Sequence, residues 1–306
     1  MDGLLAVEVA HAPIQLNGLF REIGDLKRIR SAGREGSVAE RGFRSAWRDL
    51  VAGDPAEAVM RRSVAAALAA VRLGDLDGPK LRELGLSEGE AKTVLQRGFD
   101  AVASALDPAL ASQLRAYLTC EPRPGGPAPA FVEDLARQPR AGATCPGAPR
   151  LVLEPPENHA EHSWAVAVFG VLLSPTYGAD PTVVFTAALA HHLHSAAMPD
   201  SGFTGEILLG DRLGAVLDHA TGMALDQLEA SLRAEVRRAR EILPNANTAE
   251  GQAFHAADVI DRVEQIAQHL RPASTTLAMV LDDMGLVHDG PVKAFHDQVL
   301  REMGVT

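Results

Sequence analysis

Residues 56–73 read AEAVMRRSVAAALAAVRL, and within them Val59, Met60, Val64, Ala67, Leu68 and Val71 recur at steps of three and four. That is the spacing of one face of an α-helix, not the two-residue alternation of a half-buried strand. Stripes of the same kind run through 37–52, 88–105, 107–118, 160–174, 181–194, 205–220, 226–243, 248–270 and 291–303. No stretch longer than a few residues alternates with period two, and no convincing repeat is present. Aromatics make up only 4% of the chain, whereas strands favour aromatic and β-branched residues and Ala, Leu and Arg lead the helix scale. The expected fold class is all-α.

The 306 residues are 46% hydrophobic and 23% charged. This suffices for one large or two medium cores and argues against wholesale disorder. A net charge of −11 makes nucleic acid and anionic membranes unexpected partners. Cys120 and Cys145 are too few for a disulfide framework and fit a reducing cytoplasm. MDGLLAVEVAHAP at residues 1–13 has no basic start, and no apolar run reaches the roughly 18 residues of a membrane span. The expectation is a soluble cytoplasmic protein.

Composition breaks once. Residues 120–158 hold nine of the nineteen prolines, and proline removes a backbone donor and disfavours helix in the residue before it. The stretch is read as a connector, interrupted by a short helix near 129–137. It separates an N-terminal helical unit, 1–119, from a C-terminal one, 150–306, with 120–149 between them. In the first unit the run DLKRIRSAGREGSVAERGFRSAWR carries Lys27, Arg28, Arg30, Arg34, Arg41, Arg44 and Arg48. It reads as a solvated helical face, with a phosphate-recruiting or partner-docking patch as the alternative.

Ten of the eleven histidines lie at or beyond His159. Imidazole is the commonest transition-metal ligand, so the candidate site belongs to the C-terminal unit. Three clusters stand out: ENHAEHSW (157–164), ALAHHLHSA (188–196) and FHAADVIDRVEQ (254–265). Each falls on or at the end of a predicted helix, and facing helices can bring such ligands to one ion.

ENHAEHSWAVAV, AALAHHLHSA and HAADVIDRVEQI together resemble the HD-domain metal-dependent phosphohydrolases, nearest the bacterial 5′-deoxynucleotidase branch. The resemblance spans roughly 150–270. It implies an HD-domain helical bundle preceded by a second helical unit. It also implies His162 and His191 as the first two metal ligands and Asp258 as the last. GEILLGDRL resembles a further segment of that branch and implies catalytic roles for Glu206 and Asp211. Arg150 and His159 are carried over as substrate-side residues. The position of the Asp in the family's His-Asp pair is His192 here, so three histidines and one aspartate would form the ligand set. More nitrogen and one fewer negative charge favour Fe, Co, Ni, Cu or Zn over Mg, and the cofactor expected is a divalent transition metal: Fe, Mn, Co, Ni or Zn.

Blander readings stand beside these. Asp258 also suits a helical salt bridge to Arg262, and Glu161 suits a salt-bridged residue beside His162. His194 and Ser195 face either pocket or solvent, His219 reads as structural, and the run Arg233, Arg237, Arg238, Arg240 reads as a solvated face. The expected function is a metal-dependent phosphomonoester hydrolase acting on a nucleotide or similar small phosphate, with homodimerisation as a family-level expectation. The alternatives are a non-catalytic sensing or partner-binding protein on an HD scaffold and, less favoured, a di-iron oxygenase using His219 and His255.

Overall fold

A computed structural model describes residues 16–276, 278–283 and 293–302. The stretch 1–13, read above for a targeting signal, lies outside the described residues, as do positions 291, 292 and 303 of the last stripe. The described residues form helices and no β-strand.

The helix expected over 56–73 is present as α3 (Ala56–Leu73), after α1 (Asn17–Asp25) and α2 (Val38–Val51). Then come α4 (Gly78–Glu83), α5 (Glu88–Ala103), α6 (Pro108–Arg115) and α7 (Ala130–Arg137), the last interrupting the proline-rich stretch as expected. The histidine-rich half contains α8 (His159–Tyr177), α9 (Pro181–Ala190), α10 (Gly202–Leu209), α11 (Leu213–Leu225), α12 (Ala230–Ala239), α13 (Ala249–Ser274) and α14 (Lys293–Glu302). The single stripe expected over 205–220 is two helices instead. Gly210, at a φ of 51°, takes a backbone conformation that ends α10 before α11 begins.

The contacts divide the chain into residues 1–265 and residues 266–306. The first unit has one hydrophobic core to which helices from before and after the proline-rich stretch all contribute. Its centre is α8, buried from His159 to Ser174; a helix apolar all round must be covered on every side. α9, α2, α7 and α3 supply that cover. Two glycines permit the close approach. A Cβ at Gly42 of α2 would sit 2.4 Å from Nε1 of Trp164, and one at Gly170 of α8 would sit 2.5 Å from Val184 of α9. In the second unit a π-helical turn, Met279–Asp283, follows α13, and α14 carries a Lys293–Asp297 pair at 2.8 Å. No helix among the described residues is long and apolar enough to cross a membrane.

Candidate metal centre

The site is built where α8 begins and α9 ends. Asn158 caps α8 by accepting from Glu161 N–H at 2.9 Å, while the Glu161 carboxylate accepts from Asn158 N–H at 3.1 Å. This reciprocal box satisfies two otherwise unpaired backbone donors and fixes the first turn. Glu161 also accepts from the Ser37 hydroxyl at 2.7 Å and lies 3.4 Å from Arg30. It is therefore a capping residue spent on the N-terminal helices, and burial raises its carboxyl. One turn in, His162 is fully buried.

α9 starts at Pro181 behind the Asp180 cap and stops at Ala190, where the chain tightens into a 3-10 turn, Leu193–Ala196. That stop presents His191 and His192 side by side, their ring centroids 4.1 Å apart. Arg240 donates to the freed carbonyl of Ala190, and Arg233 donates to the Leu228 carbonyl at 2.9 Å. Of the arginine run read as a solvated face, only Arg237 and Arg238 are exposed.

The ligand atoms of His162, His191 and His192 all lie within 4.8 Å of one another. His162 Nδ1–H donates to Asp261 Oδ2 at 2.7 Å, since Lys27 and His162 hold the Asp261 carboxyl below its ordinary value despite burial. His191 Nδ1–H donates to the Ala188 carbonyl at 2.6 Å. This leaves the Nε2 edges of the two rings toward the site, where the two Nε2 atoms face each other at 3.1 Å. Asp258 Oδ1 lies 3.2 Å from the same His162 nitrogen. His191 Nε2 and Asp258 Oδ1 thus both lie beside His162 Nε2. Such a set fits a cation, and these spacings suit donors sharing one ion at bonds of about 2.0–2.1 Å. An imidazole whose other nitrogen is tied to a carboxylate or carbonyl is the usual arrangement of a metal-binding histidine.

Electrostatics agree with this fit. Burial pushes the His191 and His192 imidazoles well below the ordinary histidine value, with neighbouring rings adding to the shift, so both present lone pairs at neutral pH. His192 Nδ1 is buried without a hydrogen-bond partner. Burial alone would raise Asp258, yet the hydrogen bond and charge of His162, with His191 and Arg262, hold its carboxyl well below the usual range. Arg262 lies 3.6 Å from Asp258, so the helical salt bridge coexists with the approach to His162.

Beside the histidines is a hollow of about 30 Å³, lined by His159, His192, His194, Asp200, Ser201 and Glu206 among others. His159 is 1% exposed, and its Nε2 lies 3.5 Å from Asp200. Asp200 accepts from the backbone N–H groups of Ala141 and Gly202, both at 2.8 Å. Burial pushes His194 down to about 4. Glu206 reaches this hollow from α10. Arg150 is exposed and does not line the hollow; it donates to the carbonyls of Ala141 and Ser201, at 3.2 and 3.1 Å, and of these Ser201 lines the hollow. Asp211 is exposed in a 3-10 turn after α10, and His219 is exposed on α11. Neither lines the hollow nor joins the histidine cluster among the described residues. No histidine lines a larger cavity of about 360 Å³ between α2, α3, α4 and α5, floored by Trp164.

Sequence reasoning missed Asp200, Asp261, Glu157 and Lys27. Asp261 had a signal, lying three residues beyond Asp258 and so on the same helical face. Lys27 had none, because the basic run around it reads as solvated. In the structure Lys27 is 1% exposed, and Arg34 and Arg41 both pair with Asp75.

No curated protein and no solved structure matches this chain. A family model for the HD domain matches residues 132–289, slightly more than half of the chain. That span starts within α7 and takes in α8, the end of α9 and Asp258. The all-α architecture, the convergent imidazoles and this match lead to one assignment: the chain belongs to the HD-domain family.

Proposed function

We propose that this protein is a metal-dependent phosphomonoester hydrolase acting on a nucleotide or similar small phosphate, close to the deoxynucleotidase branch. In this reading His162, His191, His192 and Asp258 hold the metal, with His192 replacing the aspartate of the family's pair. The grouping of the His162, His191 and His192 ligand atoms, with Asp258 Oδ1 3.2 Å from His162 Nε2, carries the reading. The nitrogen-rich set favours Fe, Co, Ni or Zn. A bound ion of this kind supplies Lewis acidity toward a phosphoryl oxygen and lowers the pKa of water.

The chain's own residues do the rest. Glu206, on the wall of the hollow, is placed to move a proton between water and leaving group. Asp200 holds His159, whose ring nitrogens are otherwise unpartnered and face an incoming polar group. Arg150 braces the wall through two carbonyls, and a phosphate entering beside Ser201 would compete for its guanidinium. The hollow of about 30 Å³ holds roughly two waters, too little for a phosphoryl group. Entry therefore requires α10 to move. α10 has no buried residue, and glycines at positive φ, Gly202 and Gly210, stand at its two ends.

That small hollow is also the observation favouring a second reading, a sensing or partner-binding HD scaffold without turnover. The exposure of His219 weighs against the di-iron oxygenase. Elemental analysis of protein purified without chelator, followed by phosphate release from a phosphomonoester panel, tests the proposal. Metal-dependent release is expected, abolished in His162→Ala and reduced 10²–10⁴-fold in Glu206→Gln with metal retained. Bound metal without release from any ester favours the scaffold reading; absence of bound metal removes the centre itself.

A further inference from the structure

His162 has a second face. On its Nδ1 side, Glu157, His162 and Asp261 bring ligand atoms within 4.8 Å of one another, and all three are buried. Two carboxylates and an imidazole in that arrangement form a donor set for a divalent ion. A cation is already there. Lys27 Nζ lies 2.5 Å from Glu157 Oε1 and 2.5 Å from Asp261 Oδ1, with the lysine 1% exposed. The remaining oxygens are also engaged. Asp261 Oδ2 accepts from His162, and Glu157 Oε2 lies 3.6 Å from Arg140.

We propose that Lys27 is a tethered cation filling a second cation position beside the metal centre. Its ammonium fixes the Asp261 carboxylate, Asp261 fixes the Nδ1–H tautomer of His162, and the His162 lone pair is thereby committed to the metal side. The centre is therefore mononuclear, and Lys27 is a positioning residue for it. Lys27 stands 130 residues from Glu157 and 234 from Asp261 along the chain. It also lies outside the residues matched to the HD domain, 132–289. The turn after α1 thus completes the centre with a charge that the matched region does not itself provide. The inference rests on the metal-centre reading, and the experiment separates the two.

The full-length chain, stripped of metal, is titrated with Co²⁺ and the equivalents bound are counted by elemental analysis. Nitrogen-15 NMR reads the His162 tautomer in the metal-free protein. For the wild type, one equivalent and an Nδ1–H tautomer are expected. Two equivalents, or an Nε2–H tautomer, would overturn the proposal while leaving the metal reading intact. No binding would defeat the metal reading, and the tautomer would still decide the role of Lys27.

In Lys27→Ala, affinity at the first site should fall 10–100-fold, the cost of losing an outer partner of a ligand. The tautomer should become mixed, and n-propylammonium, which replaces the missing side chain, should restore both. Unchanged affinity and tautomer in this variant would refute the role. If Lys27→Ala does not fold, recovery of folding by n-propylammonium supports the proposal. Otherwise Lys27→Met/Glu157→Gln removes one charge of each sign and takes the same measurements: weaker Co²⁺ binding supports it and wild-type values overturn it.

Discussion

Lowering the pH from 7.0 to 5.5 should destabilise the metal-free protein through its buried histidines. Burial holds His194 down to about 4 and pushes His191, His192 and His159 below their ordinary value. An unfolded histidine titrates near 6.5. Below that pH the unfolded chain binds protons that the folded chain refuses. The stability associated with the neutral rings is thus complete above about pH 6.5 and is lost as the pH falls toward the folded pKa. At pH 5.5 each ring that stays neutral costs RT ln(1 + 10), roughly 1.4 kcal/mol. His194 alone sets that minimum, and His191 and His192 bring the loss to about 4 kcal/mol where they also remain neutral. Glu161 and Asp49 act in the opposite sense, because burial raises their carboxyls, and offset part of this loss. Asp258 and Asp200 are held well below the carboxylate range by their histidine partners and contribute nothing in this interval. At about 2–4 °C per kcal/mol for a chain of this size, the melting midpoint should fall by roughly 3–16 °C. Circular dichroism melts in chelator at pH 7.0, 6.5, 6.0 and 5.5 measure it, with His194→Asn expected to flatten the dependence. A midpoint that stays level or rises across the interval would refute the reasoning.

Two substitutions test the packing that positions the site. Gly42→Ala places a Cβ 2.4 Å from the ring of Trp164; overpacking of about 1–3 kcal/mol outweighs a helix-propensity gain of up to about 1 kcal/mol. Urea unfolding should show a net loss, and a more stable variant would contradict the close α2–α8 approach. Asn158→Ala removes the α8 cap and the 2.9 Å bond from its side chain to Glu40. Stability should fall by about 0.5–2 kcal/mol, with weaker Co²⁺ binding because His162 lies in the first turn that the cap organises.

Much of the local architecture was legible. The stripe at 56–73 became α3 with the same limits, and the short helix near 129–137 became Ala130–Arg137. The stripe at 205–220 failed because a single left-handed glycine interrupts an otherwise continuous apolar pattern. α1 and α4 lie outside every stripe; α4 has six residues, too few for a helical period to register. At the site, His162, His191, His192 and Asp258 were readable as motif positions; the structure groups the three histidine ligand atoms within 4.8 Å of one another and sets Asp258 Oδ1 3.2 Å from His162. Arg150 is exposed and touches the hollow only through the Ser201 carbonyl, and Asp211 remains on the surface.

What the amino-acid order determined by itself was local: helical periodicity, caps, and a concentration of imidazoles in one half of the chain. Each depends on neighbours within about a turn or two of helix, so each leaves a short-range pattern. What only the tertiary structure decided was which charges are buried and with whom. Lys27 sits in a basic run typical of a solvated face, yet packing carries it to Glu157 and Asp261, 130 and 234 residues away. No local pattern encodes such a meeting. Only the folded core excludes the water that would otherwise have solvated the ammonium and leaves the two carboxylates as its partners.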